Sequence, residues 1–279
     1  MTATLPNFLY IGPDKAGSSW LHEALLRHPQ IFLSEAKDLY FFDRYYDRGL
    51  NWYAAQFRNA RPEHTVVGEV CPDYLASPVA PARIHDCLGD ARLMVTLREP
   101  SSRAFSSYLY MRKHGLGPST FRRALQTYPE LLEHGRYATQ LRRFRGYADQ
   151  GRLHISLFDD LQLDPQGFLD GVSSFLELPR VHLEPQLLAA RLPASRARLV
   201  PLAWIARQTA GWVRSRDGAR LVGRVKRSPT VQRLLYQPLG DEVPRMTAED
   251  DAYIRERLAA EVQGVESDFG IPLRARWGW

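Results

Sequence analysis

Cysteine and lysine are both scarce in this 279-residue chain. Its two cysteines, Cys71 and Cys87, allow one disulfide at most, which points to a reducing, cytoplasmic setting. No apolar run nears the roughly 18 residues that span a bilayer. The start, MTATLPNFLYIG, has neither a basic stretch nor a long apolar one, so no signal peptide is expected. Glycine and proline, at 19 each, and a hydrophobic share of 44% are ordinary, which excludes collagen-like, low-complexity and mostly disordered classes. Such a chain buries a sizeable core without disulfide or metal staples. Of the 37 basic residues only Lys15, Lys37, Lys113 and Lys226 are lysine, and the other 33 are arginine. This bias fits a GC-rich genome, and it singles out the four lysines as candidates for work that needs a compact ammonium. The net charge of +6 fits phosphate-bearing partners but is too diffuse to name one.

The spacing predicts strands at Phe8–Ile11, Thr65–Val70, Leu93–Leu97 and Leu153–Phe158, with helices at Ser18–Leu26, Pro78–Leu88, Pro100–Lys113 and Pro165–Leu176. Strands alternating with helices imply an α/β fold, a central parallel sheet flanked by helices, in a single domain over 1–279. Ligands of such folds sit at the carboxyl ends of strands, beside helix N-termini. A core over about 5–180 is expected, then an Arg-rich region over about 186–240 and a closing amphipathic helix over 247–269. Arg191–Arg233 reads either as surface helices packed on the core or as a lid over a site.

The most informative stretch is Phe8-Leu-Tyr-Ile-Gly-Pro-Asp-Lys-Ala-Gly-Ser-Ser-Trp20. A strand runs into a Gly-containing turn and a helix, aiming amides and a helix N-terminus at one point, which makes an anion site. The spacing mimics the phosphate loop of nucleotide triphosphatases, but the lysine due after Gly17 is Ser18, which disfavours a kinase. An ordinary glycine turn with Ser18 as helix N-cap is the plain alternative. The run Lys15-Ala16-Gly17-Ser18-Ser19-Trp20 resembles instead the 5′-phosphosulfate loop, Pro-Lys-Ser-Gly-Thr-Thr-Trp, of sulfotransferases that use 3′-phosphoadenosine 5′-phosphosulfate (PAPS). One extra residue stands between Pro13 and Lys15. About 80 residues on, Arg98-Glu-Pro100-Ser-Ser-Arg103-Ala-Phe-Ser106-Ser-Tyr108 resembles the family's 3′-phosphate motif, Arg-x-Pro-x-x-Arg-x-x-Ser-x-Tyr, at every position.

The resemblance implies a P-loop-kinase-like sulfotransferase fold and specific roles. Lys15, Ala16 and Gly17 hold the 5′-phosphosulfate, Ser18 and Ser19 add hydroxyls, Trp20 stacks on adenine, and Arg98 and Ser106 read the 3′-phosphate. Val66-Val-Gly-Glu69-Val-Cys71-Pro-Asp73-Tyr74 is similar to the Glu-Lys-Thr-Pro-Ser-Tyr stretch of heparan sulfate sulfotransferases and their bacterial relatives. This makes Glu69 the general base. Confinement raises its pKa and a nearby Lys15 or Lys37 opposes the rise; a solvated strand-end carboxylate is the plain alternative. Cys71 stands where the glycan enzymes carry Lys and cannot supply that charge, which counts against a glycosaminoglycan-like acceptor. It reads as a packing residue. Leu33-Ser-Glu-Ala-Lys37-Asp-Leu-Tyr40-Phe41-Phe42-Asp43 resembles the family's Lys-Glu-x-x-Phe-Phe segment and makes Lys37 a partner of the sulfuryl group. Tyr40, Phe41, Phe42, Tyr45 and Tyr46 read as core and rim.

Gly135-Arg136-Tyr137 and Ile155-Ser-Leu-Phe158-Asp-Asp-Leu161 follow the bacterial order and read as structural. Arg224, Lys226 and Arg227 lie where relatives close a basic loop. The expected partners are PAPS, its product 3′,5′-diphosphoadenosine (PAP) and a small hydroxyl acceptor, a natural product or sugar in a bacterium. No nucleic acid, membrane span or metal is expected, since the eight histidines lack ligand spacing. A P-loop kinase and a basic nucleic-acid binder using Arg191–Arg233 are the rival classes. Oligomeric state and acceptor identity are not legible.

Overall fold

The computed structural model describes residues 4–188, 195–197, 236–238 and 244–279. Nearly all of Arg191–Arg233, with Arg224, Lys226 and Arg227, lies outside them, and so does the choice between surface helices and a lid. The chain divides into two compact units, 1–98 with 137–191 and 99–136 with 192–279.

The first unit holds a parallel five-stranded sheet: β1 (Phe8–Gly12), β2 (Ile31–Leu33), β3 (Val66–Val70), β4 (Arg92–Leu97) and β5 (Leu153–Leu157), in the order β2-β3-β1-β4-β5. β1 and β3 are buried along their whole length, as strands covered on both faces must be. Phe8 sits opposite Gly68 on one side and Arg92 on the other, so the carboxyl ends of the central strands emerge side by side. Helices α1 (Ser18–Leu25) and α2 (Ala80–Leu88) belong to this unit. Trp20, Leu21, Ala24 and Leu25 of α1 enter one core with Phe8, Tyr10, Val70 and Met94.

Short apolar edge strands escape periodicity, and β2 is one: three residues carry no alternation to detect. The strand expected through Phe158 stops at Leu157, and Phe158 opens a helix.

The second unit contains α3 (Pro100–Lys113) and α4 (Phe121–Thr127). The first unit continues with α5 (Phe158–Leu163) and α6 (Pro165–Phe175). A two-stranded antiparallel pair, β6 (Ser195–Ala197) with β7 (Tyr236–Pro238), and α7 (Ala248–Phe269) fall in the second unit. Ala104 and Tyr108 of α3, Phe121 and Leu125 of α4, and Ile254 and Leu258 of α7 share its core. α7 opens with a capping box between Thr247 and Asp250. Among the described residues no helix is long and apolar enough to cross a membrane.

Candidate functional site

The turn after β1 is shaped by residues that leave no alternative. A Cβ on Gly12 would lie 2.3 Å from the Pro72 carbonyl oxygen, and one on Gly17 would lie 2.6 Å from Leu161 Cδ2. Gly17 takes the left-handed conformation at φ 88° and caps α1, so Ser18 is the first helical residue and not the cap. The first bond inside α1 runs from Leu21 N to Gly17 O at 2.9 Å; the amides of Ser18, Ser19 and Trp20 precede it and face out of the helix start. Lys15 has φ 63°, a region that costs a non-glycine residue roughly 1–3 kcal/mol and persists only where its surroundings hold it.

Arg98, directly after β4, provides that hold. Its Nη1 donates to the Lys15 carbonyl at 2.8 Å, and its guanidinium lies 4.6 Å above the centre of the Phe158 ring. Tyr137, fully buried, donates its hydroxyl to the Arg98 carbonyl at 2.7 Å. The expected cradle residue after β4 and the expected cradle after β1 are therefore bonded to each other. Trp20, expected to stack on adenine, lies in the core beside the turn. Its ring is 7% exposed, packs edge-on against Phe168, and donates Nε1 to Leu187 O at 3.0 Å. An indole so enclosed belongs to the core of this unit, and its stacking on an adenine stands on the sequence motif alone.

Ser106 belongs to the second unit, half-buried on α3, and its part in holding a phosphate stands on the sequence motif alone. In that unit Glu99 caps α3 by accepting from Ser101 N at 3.1 Å and Ser102 N at 2.7 Å. Arg103 is fully buried and donates to Leu131 O, and Tyr108 donates to Ser119 O at 2.7 Å. Those two motif positions build the helix packing.

On the other side of β1, the end of β3 carries Glu69. It is not the solvated carboxylate of the plain alternative: its exposure is zero. Tyr53 donates to Oε2 at 2.7 Å, while Tyr74 and Leu39 N donate to Oε1 at 2.8 and 3.1 Å. Burial pushes its pKa up to about 8; the bonds from Tyr53, Tyr74 and Leu39 pull it down, and Asp43 adds to the rise. No lysine counteracts burial among these principal influences. Tyr74 in turn accepts from Phe41 N at 2.9 Å, and Asp38 N donates to Val70 O at 3.0 Å. Glu69 and its tyrosines thus pin the loop 38–41 over the end of β3.

That loop presents Lys37 and Asp38, paired at 3.1 Å with side chains 22% and 18% exposed. Asp38 and Tyr40 have φ 63° and 56°, so this loop is strained like the Lys15 turn. Phe41 and Phe42 are buried, with Phe41 stacked on Tyr53 at 4.4 Å; Tyr40 lies under Arg44 at 4.1 Å. Arg44 also bonds Asp73, whose pKa burial lifts to about 6 despite Arg44, with Asp38, Asp14 and Asp43 adding to the rise. Cys71 is fully buried and Cys87 partly so, and both are free thiols; burial raises the Cys71 thiol well above its usual pKa. Among the described residues no cluster of His, Cys, Asp and Glu is arranged around a metal position.

Sequence reasoning missed Tyr53, which carries no motif and meets Glu69 from 16 positions away. It also gave Phe158 and Tyr137 no part beside Arg98, because their partners lie 60 and 39 residues away.

A parallel α/β sheet has a glycine-bounded turn and helix start after its central strand, and an arginine that follows the neighbouring strand bonds to that turn. The sequence model of the sulfotransferase domain family matches residues 5–196, more than half of the chain, and the chain belongs to that family. Mouse heparan sulfate glucosamine 3-O-sulfotransferase 6 is 31% identical over 190 residues, covering 63% of this chain and 53% of that protein. The chain spans about half the length of the heparan sulfate glucosamine 3-O-sulfotransferases it matches. A sulfotransferase from Alicyclobacillus acidocaldarius superposes with a TM-score of 0.58 at 24% identity, over 82% of this chain and 99% of that one. Mouse sulfotransferase SULT7A1, solved with PAP, superposes at 0.54 and 13% identity, over 95% and 87%. These likenesses establish the P-loop-kinase-like sulfotransferase fold.

Proposed function

We infer that the protein transfers the sulfuryl group of PAPS to a hydroxyl of a small acceptor, a natural product or sugar. The observation that carries this reading is the 2.8 Å bond from Arg98 to the Lys15 carbonyl, which joins the two donor-binding elements in one unit. The donor supplies a sulfuryl group on a phosphate leaving group. Lys15, with the amides of Ala16, Gly17, Ser18 and Ser19 and the Ser19 hydroxyl, holds the 5′ end and offsets charge there. Arg98 binds the 3′-phosphate through a planar fork suited to it, and Ser106 joins it on the strength of the motif.

The acceptor proton needs a base that a hydroxyl can touch. Glu69, assigned this role from the resemblance, has no exposed surface, and Tyr53, Tyr74 and Leu39 N already take up its carboxyl oxygens, so no acceptor hydroxyl reaches it as the fold stands. Asp38, on the loop that Glu69 holds, is partly exposed beside Lys37. The reading these facts support is Asp38 as the base, Glu69 as the group that positions its loop, and Lys37 as the cation at the sulfuryl oxygens. Asp38, Asp43 and Asp73 near Cys71, set against Lys37 and Arg44, suit a small acceptor better than a polyanionic glycan.

Calorimetric titration with PAP and with Mg-ATP, followed by an acceptor screen with PAPS, tests the reading. PAP binding and sulfated product are expected. Tight Mg-ATP binding without PAP binding overturns it in favour of a kinase, and salt-sensitive DNA retention with no nucleotide binding favours a nucleic-acid binder.

A further inference from the structure

Arg98 is held at three points. Tyr137 fixes its carbonyl at 2.7 Å, Lys15 O takes one guanidinium N–H at 2.8 Å, and the Phe158 ring lies under the guanidinium plane at 4.6 Å. Phe158 is positioned to do this because β5 ends at Leu157 and the chain turns into α5, which brings the ring beside the donor loop. Two of its ring carbons lie 3.3 Å from the place a Cβ on Gly17 would occupy, so the ring touches the donor turn as well as the arginine. Its remaining surface packs against the core that includes Trp20 and Leu161.

An arginine side chain has many rotamers, and a phosphate that must order it loses affinity to that ordering. A ring that attracts the guanidinium face, and a hydroxyl that fixes the backbone it leaves from, remove this cost before the ligand arrives. We propose that Phe158 and Tyr137 form a seat for Arg98 and thereby determine specificity for adenylates bearing a 3′-phosphate over those with a 5′-phosphate alone. They are positioning residues, acting through Arg98. The inference rests on the reading of Arg98 as the 3′-phosphate ligand.

The probes are PAP and 5′-AMP, which differ only by the 3′-phosphate, titrated calorimetrically into wild type, Arg98→Ala, Phe158→Leu, Phe158→Tyr and Tyr137→Phe. Arg98→Ala is expected to erase most of the preference for PAP. Phe158→Leu is expected to weaken PAP by about 2–30-fold, the range for losing a cation–π contact, and to leave 5′-AMP unchanged. Phe158→Tyr, which keeps the ring face, restores PAP binding. Tyr137→Phe lowers the preference by about 2–10-fold, the range for one hydrogen bond. Equal weakening of both nucleotides by Phe158→Leu shows packing against the Gly17 turn only and overturns the seat, as does an unchanged preference. If Phe158→Leu does not fold, Tyr137→Phe decides, and an unaltered preference there overturns the proposal. If Arg98→Ala keeps the preference, the donor-site reading itself falls and the seat with it; a lost preference in Arg98→Ala beside intact Phe158 and Tyr137 variants removes the seat alone.

Discussion

The two sides of β1 are built on opposite principles. On the β4 side, the Lys15 turn is held by main-chain groups and one long cation: Gly17 accepts from Leu21, and Arg98 donates to Lys15 O. On the β3 side, the loop at Lys37–Phe42 is held by a buried carboxyl group and two buried phenols, Glu69 with Tyr53 and Tyr74. Both loops carry left-handed non-glycine residues, so each needs outside support. Arginine side chains keep their charge across the ordinary pH range, whereas burial moves the charge change of Glu69 up to about pH 8. On the proposed reading, the acceptor side is the one whose buried carboxyl group responds to pH.

The sharpest way to break this contrast is on the acceptor side. Asp38→Asn is expected to cut turnover by about 10²–10⁴-fold, the range for losing a general base, while PAP affinity measured by calorimetry stays at wild type. Glu69→Gln, which keeps the size of the side chain, loses less. If the order of these two is reversed in a steady-state assay, Glu69 is the base and its enclosure opens during the reaction.

Next in size is Lys15→Ala, expected to lower kcat by about 10²–10³-fold, the range for removing one group that stabilises developing charge. Near wild-type turnover would remove Lys15 from the site. Arg98→Ala should weaken PAP by about 2 kcal/mol, the low end for truncating one partner of a buried charge pair, because the guanidinium is only half-buried. Unchanged affinity would separate Arg98 from the donor.

The smallest effect is on stability. Glu69 has a folded pKa near 8 against an ordinary value of 4.5, so between these pH values the folded protein binds the extra proton. Stability from this group is whole below about pH 4.5, declines as pH rises, and is gone above about pH 8. Asp73, lifted to about 6, acts in the same direction over a narrower span. Thermal melting of wild type from pH 5 to 8 should fall more steeply than that of Glu69→Gln, and parallel curves would mean that Glu69 is not held neutral.

Much of the proposed donor side was legible because its geometry is local. Gly12, Lys15, Gly17 and the start of α1 lie within a dozen residues, where turn chemistry and the change from strand to helix period dictate where amides point. The same holds for Arg98, Pro100 and α3, whose start follows directly from a strand end and a proline at the first helical position. Glu69 was legible as a residue of interest and not as an enclosed one, since the phenols that enclose it come from 16 positions before and five after.

By itself the sequence determined the parallel strand-and-helix order, the two strand-to-helix junctions that carry the motifs, and the family to which they belong. These follow from short-range periodicity and turn residues, which act over one or two elements. Only the tertiary structure decided that Trp20 is core, that Asp38 rather than Glu69 carries the exposed carboxyl group, and that Phe158 lies beneath Arg98. Burial and partnership depend on which distant strands become neighbours in the sheet, and no local spacing encodes that adjacency.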